Sequence, residues 1–431
     1  MKPPAATAWK HRLLTLTAAA VTTLLAGACG GDGTPVGRTS TTGAPAQTGE
    51  YPIGTPSEWL TPELLTGSLR AIDQIFPTRT VARAPRPSEL TRRDAPLDVT
   101  YRFDGGTFTL ADFPERTRTT GLLVLHDGEI LHESYHRGAD ESSRFLSMSV
   151  AKSFTSTLLG IARGEGLIAS FDDPVTRYLP ELAGTGYDGV SIRHILQMSS
   201  GIGFVEEYAD ETSDIARLGD ACFGGPERLE EVAVTYDRGF EPGSDFHYAS
   251  VDTAVLGWLL RRVTGKSLSA YMTEKLWQPI GAEADAAWVL DQEGEGGVEC
   301  ALGGLISTLR DYGRFGLLMA KEGIWNGRPV LPEGWVAEAT IPDSPQVQPG
   351  ELYDGYRLGY QYQWWTFPDE DHSFTGEGIH GQLLMVNPEL DLVLVKTSDW
   401  ETAWESDKER ETWALWDSIQ EWVRGQGGET S

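Results

Sequence analysis

Hydrophobic and polar positions divide the chain into three zones. Leu13 to Ala28 is apolar or small, shorter than the roughly 20 residues a membrane-crossing helix needs. Gly30 to about Thr55 is rich in Gly, Thr, Pro, Ser and Ala and shows no apolar periodicity. Such a segment cannot bury a core and predicts a flexible tether. Beyond Trp59 the pattern becomes that of a folded domain. Gly121-Leu-Leu-Val-Leu-His-Asp-Gly-Glu-Ile-Leu-His-Glu-Ser-Tyr predicts a β-hairpin turning at Asp127-Gly128. The spacing predicts helices from near Ser149, over Asp252–Arg262, over Leu268–Leu276 and over Leu305–Lys321. Gly381 to Pro388 and Leu390 to Thr397 read as paired strands joined at Asn387-Pro388. Strands near both ends with helices between them predict an α+β domain, with one antiparallel sheet closed by both ends of the chain.

The N-terminal zone reads as a targeting segment. Lys10-His11-Arg12 precedes the apolar run, and Leu25-Ala26-Gly27-Ala28-Cys29 ends it. This resembles a bacterial lipoprotein signal. The expected organisation is a signal peptide over 1–28, a tether over 29–58 and one domain over 59–431. Cleavage before Cys29 would leave that cysteine to carry lipid, so the expected location is the outer face of the cell membrane; plain secretion is the alternative. Net charge is −28, which argues against nucleic acid as a partner and favours solubility. Cys222 and Cys300 are the other two cysteines. An exported compartment permits a bridge between them, and the spacing leaves open whether they meet.

His132-Glu133-Ser134-Tyr135-His136 matches the HExxH pattern of zinc proteases. That pattern binds metal only on a helix, where positions i and i+4 face one ion. Here it follows a hairpin turn and ends at Arg137-Gly138, so a strand is expected, and no metal.

The chemistry is expected at Ser149-Val-Ala-Lys152, which opens an otherwise apolar helical stretch. Positions i and i+3 share a helix face, so hydroxyl and amine can meet. Burial disfavours the charged lysine and lowers its pKa, and a serine beside such a base becomes a nucleophile. Phe246-His247-Tyr248-Ala249-Ser250 lies directly before a predicted helix and offers a phenol for proton transfer. Gly378-Ile379-His380-Gly381-Gln382 opens a strong strand, whose edge can present an N–H to an oxyanion. Gly381 would let substrate approach the backbone.

In that order, SxxK, Tyr-x-Ser and a Gly-ended strand triplet, the chain resembles the serine β-lactamase and penicillin-binding-protein superfamily. Within it the chain is similar to class C-related esterases and aminohexanoate-dimer hydrolases. Supporting stretches are His194-Ile-Leu-Gln-Met-Ser-Ser-Gly-Ile, Gly303-Gly-Leu-Ile-Ser-Thr-Leu-Arg-Asp-Tyr-Gly-Arg-Phe-Gly and Gly359-Tyr-Gln-Tyr-Gln-Trp-Trp. The resemblance implies a central antiparallel sheet flanked by helices, plus an all-helical subdomain. It implies a serine hydrolase acting on a small ester or amide without a cofactor. Ser149 would be the nucleophile, Lys152 its activator and Tyr248 the proton donor to the leaving group. The N–H groups of Ser149 and Gln382 would form the oxyanion hole, and His380, Gly381, Tyr208 and Ser250 would touch substrate. Two departures stand out: Ser250 replaces the usual Asn, and Ile379-His380-Gly381 stands where β-lactamases carry Lys-Thr-Gly. Losing that cation costs on the order of 2–3 kcal/mol of carboxylate recognition. A β-lactamase or D-Ala-D-Ala carboxypeptidase, and a non-catalytic binding lipoprotein, are therefore the alternatives. Glu206, Glu207, Asp210, Glu211 and Asp214 are expected to border the pocket, where they would favour amine-bearing substrates.

Overall fold

Alternating side chains build a sheet that is covered on both faces. The computed structural model describes residues 51–427, Ala95 excepted, and the backbone of Gln47–Thr48. In chain order the elements that matter here are β1 (Thr78–Val81), β2 (Thr119–His126), β3 (Glu129–Tyr135), β4 (Arg144–Leu146) and α1 (Ala151–Gly164). They continue with α2 (Asp214–Cys222), α3 (Ser250–Thr264), β5 (Ala286–Val289), β6 (Leu305–Thr308), α4 (Leu309–Ala320), β7 (Gly359–Gln361) and β8 (Trp364–Thr366). The last are β9 (Phe374–Gly378), β10 (Gln382–Asn387), β11 (Leu392–Ser398) and α5 (Ser406–Gly427).

Seven strands form one antiparallel sheet in the order β7-β8-β9-β10-β11-β2-β3. The expected hairpin is β2–β3, the expected strand pair is β10–β11, and β11 pairs with β2. Early and late parts of the chain thus close one sheet, as the strand pattern predicts. Leu123, Leu125, Leu384, Val386, Val393 and Val395 face the larger core, which the helices between 151 and 280 share. Their neighbours Leu122, Val124, Leu383, Met385, Leu392 and Leu394 face a second core under α5. Burial on both faces is why these strands read as continuous apolar runs. A smaller sheet, in the order β1-β5-β6-β4, lies beside the first.

One expected element divides. Residues 305–308 are strand, and the helix begins only at Leu309. The Thr308 hydroxyl accepts from the Asp311 N–H and so caps that helix, and the preceding Leu305-Ile-Ser run pairs with its neighbours on both sides instead. The expected signal peptide, Cys29 and most of the expected tether lie outside the described residues. Ile53 is already buried and the Gly54 N–H donates to Ser68 Oγ at 2.9 Å, so Tyr51–Glu58 is attached to the domain ahead of Trp59. His132-Glu133-Ser134-Tyr135 is part of β3. There His132 and His136 both bond Ser134 Oγ, at 2.9 and 3.0 Å, and Glu133 pairs with Arg310 and Arg92. Cys222 at the end of α2 is disulfide-bonded to Cys300, with their Cα atoms 5.3 Å apart.

Candidate active site

The turn that carries Ser149 is set by one strained residue. Met148 adopts φ +46°, a left-handed conformation unusual for a bulky side chain. It swings the chain from β4 into the short turn Met148–Val150 that leads into α1. Ser149 is thereby half-buried at the helix start, while Val150 and Ala151 are buried. One turn on, Lys152 is 1% exposed. Its Nζ donates to Ser149 Oγ at 2.8 Å and to the Leu302 carbonyl at 2.9 Å. Burial pulls the ammonium down to about 8, and the charge of Glu206 partly offsets this.

Tyr248 reaches the same place from a different element. It sits two residues before α3, in a segment fixed by His247 N–H to Met198 O (2.7 Å) and by His247 Nε2 against Phe204 O (2.6 Å). Its ring stacks on Trp365, with centroids 5.6 Å apart and planes at 17°. Lys152 Nζ lies 5.2 Å from the ring centroid. Burial, then Glu206, raises the phenol well above its ordinary value, and a hydrogen bond with Ser149 opposes them. Ser149, Lys152 and Tyr248 therefore converge, from positions about a hundred residues apart in sequence.

The strand edge beside Ser149 is not the one the sequence suggests. A Cβ on Gly378 would stand 2.6 Å from Ser147 O and 3.0 Å from Ser149 N. The end of β9, Gly376-Glu377-Gly378, therefore lies against the Ser149 turn. Ile379-His380-Gly381 is a turn, with His380 at φ +60° and Gly381 at φ +84°. Gly381 makes room for Trp400, whose ring would be 2.4 Å from an added Cβ, and not for substrate. His380 is buried, with Nδ1 bonded to Trp400 O at 2.8 Å. Gln382 is the ladder partner of Gly378, and its amide Nε2 donates to His380 O (3.0 Å) and Ser398 O (2.9 Å). These three residues hold the turn together. Glu377 accepts from Tyr356 at 3.4 Å, burial raises its carboxyl to about 8, and its charge adds to the forces that raise Tyr248. No lysine or arginine occupies the triplet, so the missing cation stands as expected.

Ser250 is also reassigned. It is 1% exposed, and its N–H and Oγ both donate to Glu206, at 2.8 and 2.6 Å. Its hydrogen-bonding capacity is directed to that carboxylate and away from substrate. Tyr208 is 40% exposed, and its hydroxyl donates to Glu206 at 2.6 Å. Of the five loop acids, only Glu206 joins the site. Glu207 accepts from Ala209 N–H, Asp210 from Thr212, and Asp214 from Val205 N–H; Glu211 is exposed. Trp364 and Trp400 are core residues, Trp404 is exposed, and Trp365 alone of the four stacks on Tyr248. Sequence reasoning missed the Leu302 carbonyl, which no side-chain motif can signal, and Gly378, which was visible as one glycine of a Gly-x-Gly pair.

Comparison with known proteins agrees with this architecture. The profile of the family described as Beta-lactamase matches residues 109–415. A 6-aminohexanoate-dimer hydrolase of Paenarthrobacter ureafaciens is 35% identical over 323 residues, 72% of this chain and 81% of the relative. A solved structure from Bacillus anthracis, provisionally named a 6-aminohexanoate-dimer hydrolase, superposes with TM-score 0.77 at 25% identity, covering 86% of this chain and 97% of that one. A family VIII carboxylesterase superposes with TM-score 0.55 at 19% identity, covering 72% and 95%, and so shares the fold.

Proposed function

The chain belongs to the beta-lactamase family, and on that premise we propose that it is a serine hydrolase cleaving a small ester or amide through an acyl-enzyme. The observation that carries this reading is the 2.8 Å hydrogen bond from a buried, pKa-depressed Lys152 to a half-buried Ser149. Lys152 takes the Ser149 proton as Oγ attacks the carbonyl. The N–H groups of Ser149 and Ile379 receive the oxyanion. Ile379 follows Gly378, which lies against the Ser149 turn, so in this reading its N–H stands beside that of Ser149. This replaces Gln382 as the second donor. Tyr248 then protonates the leaving group and is reprotonated by the Lys152 ammonium; in the second half, neutral Lys152 takes a proton from the attacking water and, through Tyr248, a proton returns to Ser149 Oγ as the acid leaves. No metal or cofactor enters these steps. The lack of a cation on the end of β9 disfavours β-lactams and D-Ala-D-Ala peptides, whose carboxylate such a cation would meet; slow nitrocefin turnover is the expected result.

Ser149→Ala tests the reading. The variant should lose nitrophenyl-ester turnover and fluorophosphonate labelling while melting at the wild-type temperature. Retained turnover, or label on another residue, overturns it. We further propose export with lipid attached at Cys29. Palmitate labelling of the full chain in a bacterial host should vanish in Cys29→Ala; persistent labelling would refute the anchor.

A further inference from the structure

Glu206 is the residue whose surroundings the mechanism so far leaves unexplained. Both of its oxygens are engaged: Oε1 by Tyr208 Oη and Ser250 Oγ, each at 2.6 Å, and Oε2 by the Ser250 N–H at 2.8 Å. Two of these donors come from the first residue of α3, two positions after Tyr248. The third comes from its own loop. A carboxylate held by three donors on two elements cannot swing freely into solvent, although it is only half-buried. The groups that face it are Lys152 on α1, Tyr248 and Asp252 on and before α3, Tyr208 on its own loop, and Tyr353 and Tyr360 from the C-terminal half. Lys152 is the cation among them. Asp252 is fully buried and accepts from Tyr187 Oη at 2.8 Å, and burial raises it to about 8.

We propose that Glu206 is a positioning residue that fixes the charge balance of the Lys152–Tyr248 pair, with Ser250 and Tyr208 as its holders. The inference rests on the serine-hydrolase reading above. Its physical content is simple. When Lys152 takes the proton from Ser149, the new ammonium forms in a dry site, where a fixed carboxylate stabilises it more than water-screened charge could. The same carboxylate opposes ionisation of Tyr248, so the phenol keeps the proton it must deliver to the leaving group. Ser250 thereby gains a role without touching substrate: it turns the first N–H of α3 and its own hydroxyl onto the carboxylate.

The test is the pH dependence of kcat/KM for a neutral nitrophenyl ester, measured on the full chain. Lys152 is the base, and removing a neighbouring negative charge makes its ammonium lose its proton more easily. Glu206→Gln should therefore move the acid limb downward by about one pH unit. Ser250→Ala should move it in the same direction by less, because a looser carboxylate couples more weakly. Fluorophosphonate should still label Ser149 in both. An unmoved limb in folded Glu206→Gln, with rates lowered equally at every pH, overturns the proposal and leaves Glu206 a loop brace. Should that variant fail to fold, Glu206→Asp retracts the charge by one methylene; a smaller downward shift supports the proposal and none overturns it. Loss of labelling in the wild type would instead refute the Ser149 reading.

Discussion

Gly378→Ala places one methyl group where the structure leaves no room for it. The glycine has φ −135° and ψ 146°, a conformation alanine adopts freely. Any effect is therefore steric. The new Cβ would stand 2.6 Å from Ser147 O and 3.0 Å from both Ser149 N and Met148 Cβ. Ordinary contacts of this kind lie near 3.5 Å, so strand and turn must separate by roughly half an ångström or more. Two of the three neighbours are backbone, and Met148 is already held at φ +46°, so no flexible side-chain end can yield. Overpacking of this kind costs about 1–3 kcal/mol of stability. The catalytic cost should be larger, because the separation falls between the two N–H groups proposed to hold the oxyanion. Loss of one such donor costs about 10²–10³ in kcat. Gly376→Ala is the control. Its Cβ would face Ser153 Oγ at 3.1 Å and Val150 Cγ1 at 3.3 Å, both side-chain atoms, so a loss below tenfold is expected. The assay is ester kcat/KM for both variants, with thermal melts alongside. If Gly378→Ala stays within threefold of wild type, or Gly376→Ala falls as far, the strand end at Gly378 is not the oxyanion edge.

Two further predictions follow from burial and connectivity. The lowered Lys152 pKa, at about 8, makes the neutral base scarcer as pH falls. Ester kcat/KM should thus rise with pH and level off above about 8, and at pH 6 it should be about 100-fold below the plateau; a flat profile from pH 6 to 9 would remove Lys152 as the base. The Cys222–Cys300 bridge closes a loop with a sequence separation of 78, which corresponds to about 4.5 kcal/mol of stabilisation through the unfolded chain. Cys222→Ser should lower the urea midpoint accordingly, whereas equal midpoints for oxidised and substituted protein would show that the bridge contributes nothing.

The legible parts of this protein were those with a repeating or local signature. The β2–β3 hairpin was marked by Asp127-Gly128 between apolar runs, and β10–β11 by two such runs around Asn387-Pro388. Ser149 and Lys152 were readable because three residues on a helix put them on one face, a relation that needs no tertiary information. Tyr248 was readable from the residues only as a phenol before a helix, a signal with no periodicity, and its role came from the resemblance. The division of 305–321 into strand and helix was missed because a Leu-Ile-Ser-Thr run extends an apolar pattern equally well in either state.

What the sequence determined alone is the class of the domain, the pair of residues at the head of α1 and the absence of a cation from the Gly-ended triplets. These follow from spacing and composition. Tertiary structure decided the rest. It chose Gly378 over Gly381 as the glycine against Ser149, because His380 and Gly381 take positive φ and turn the chain away. It gave Ser250 and Tyr208 to Glu206, and the Leu302 carbonyl to Lys152. Each of these choices depends on which strand end, loop or carbonyl the packing of a two-faced sheet brings within 3 Å. Local sequence does not encode that distance, because the partners lie on elements that meet only once both cores have closed.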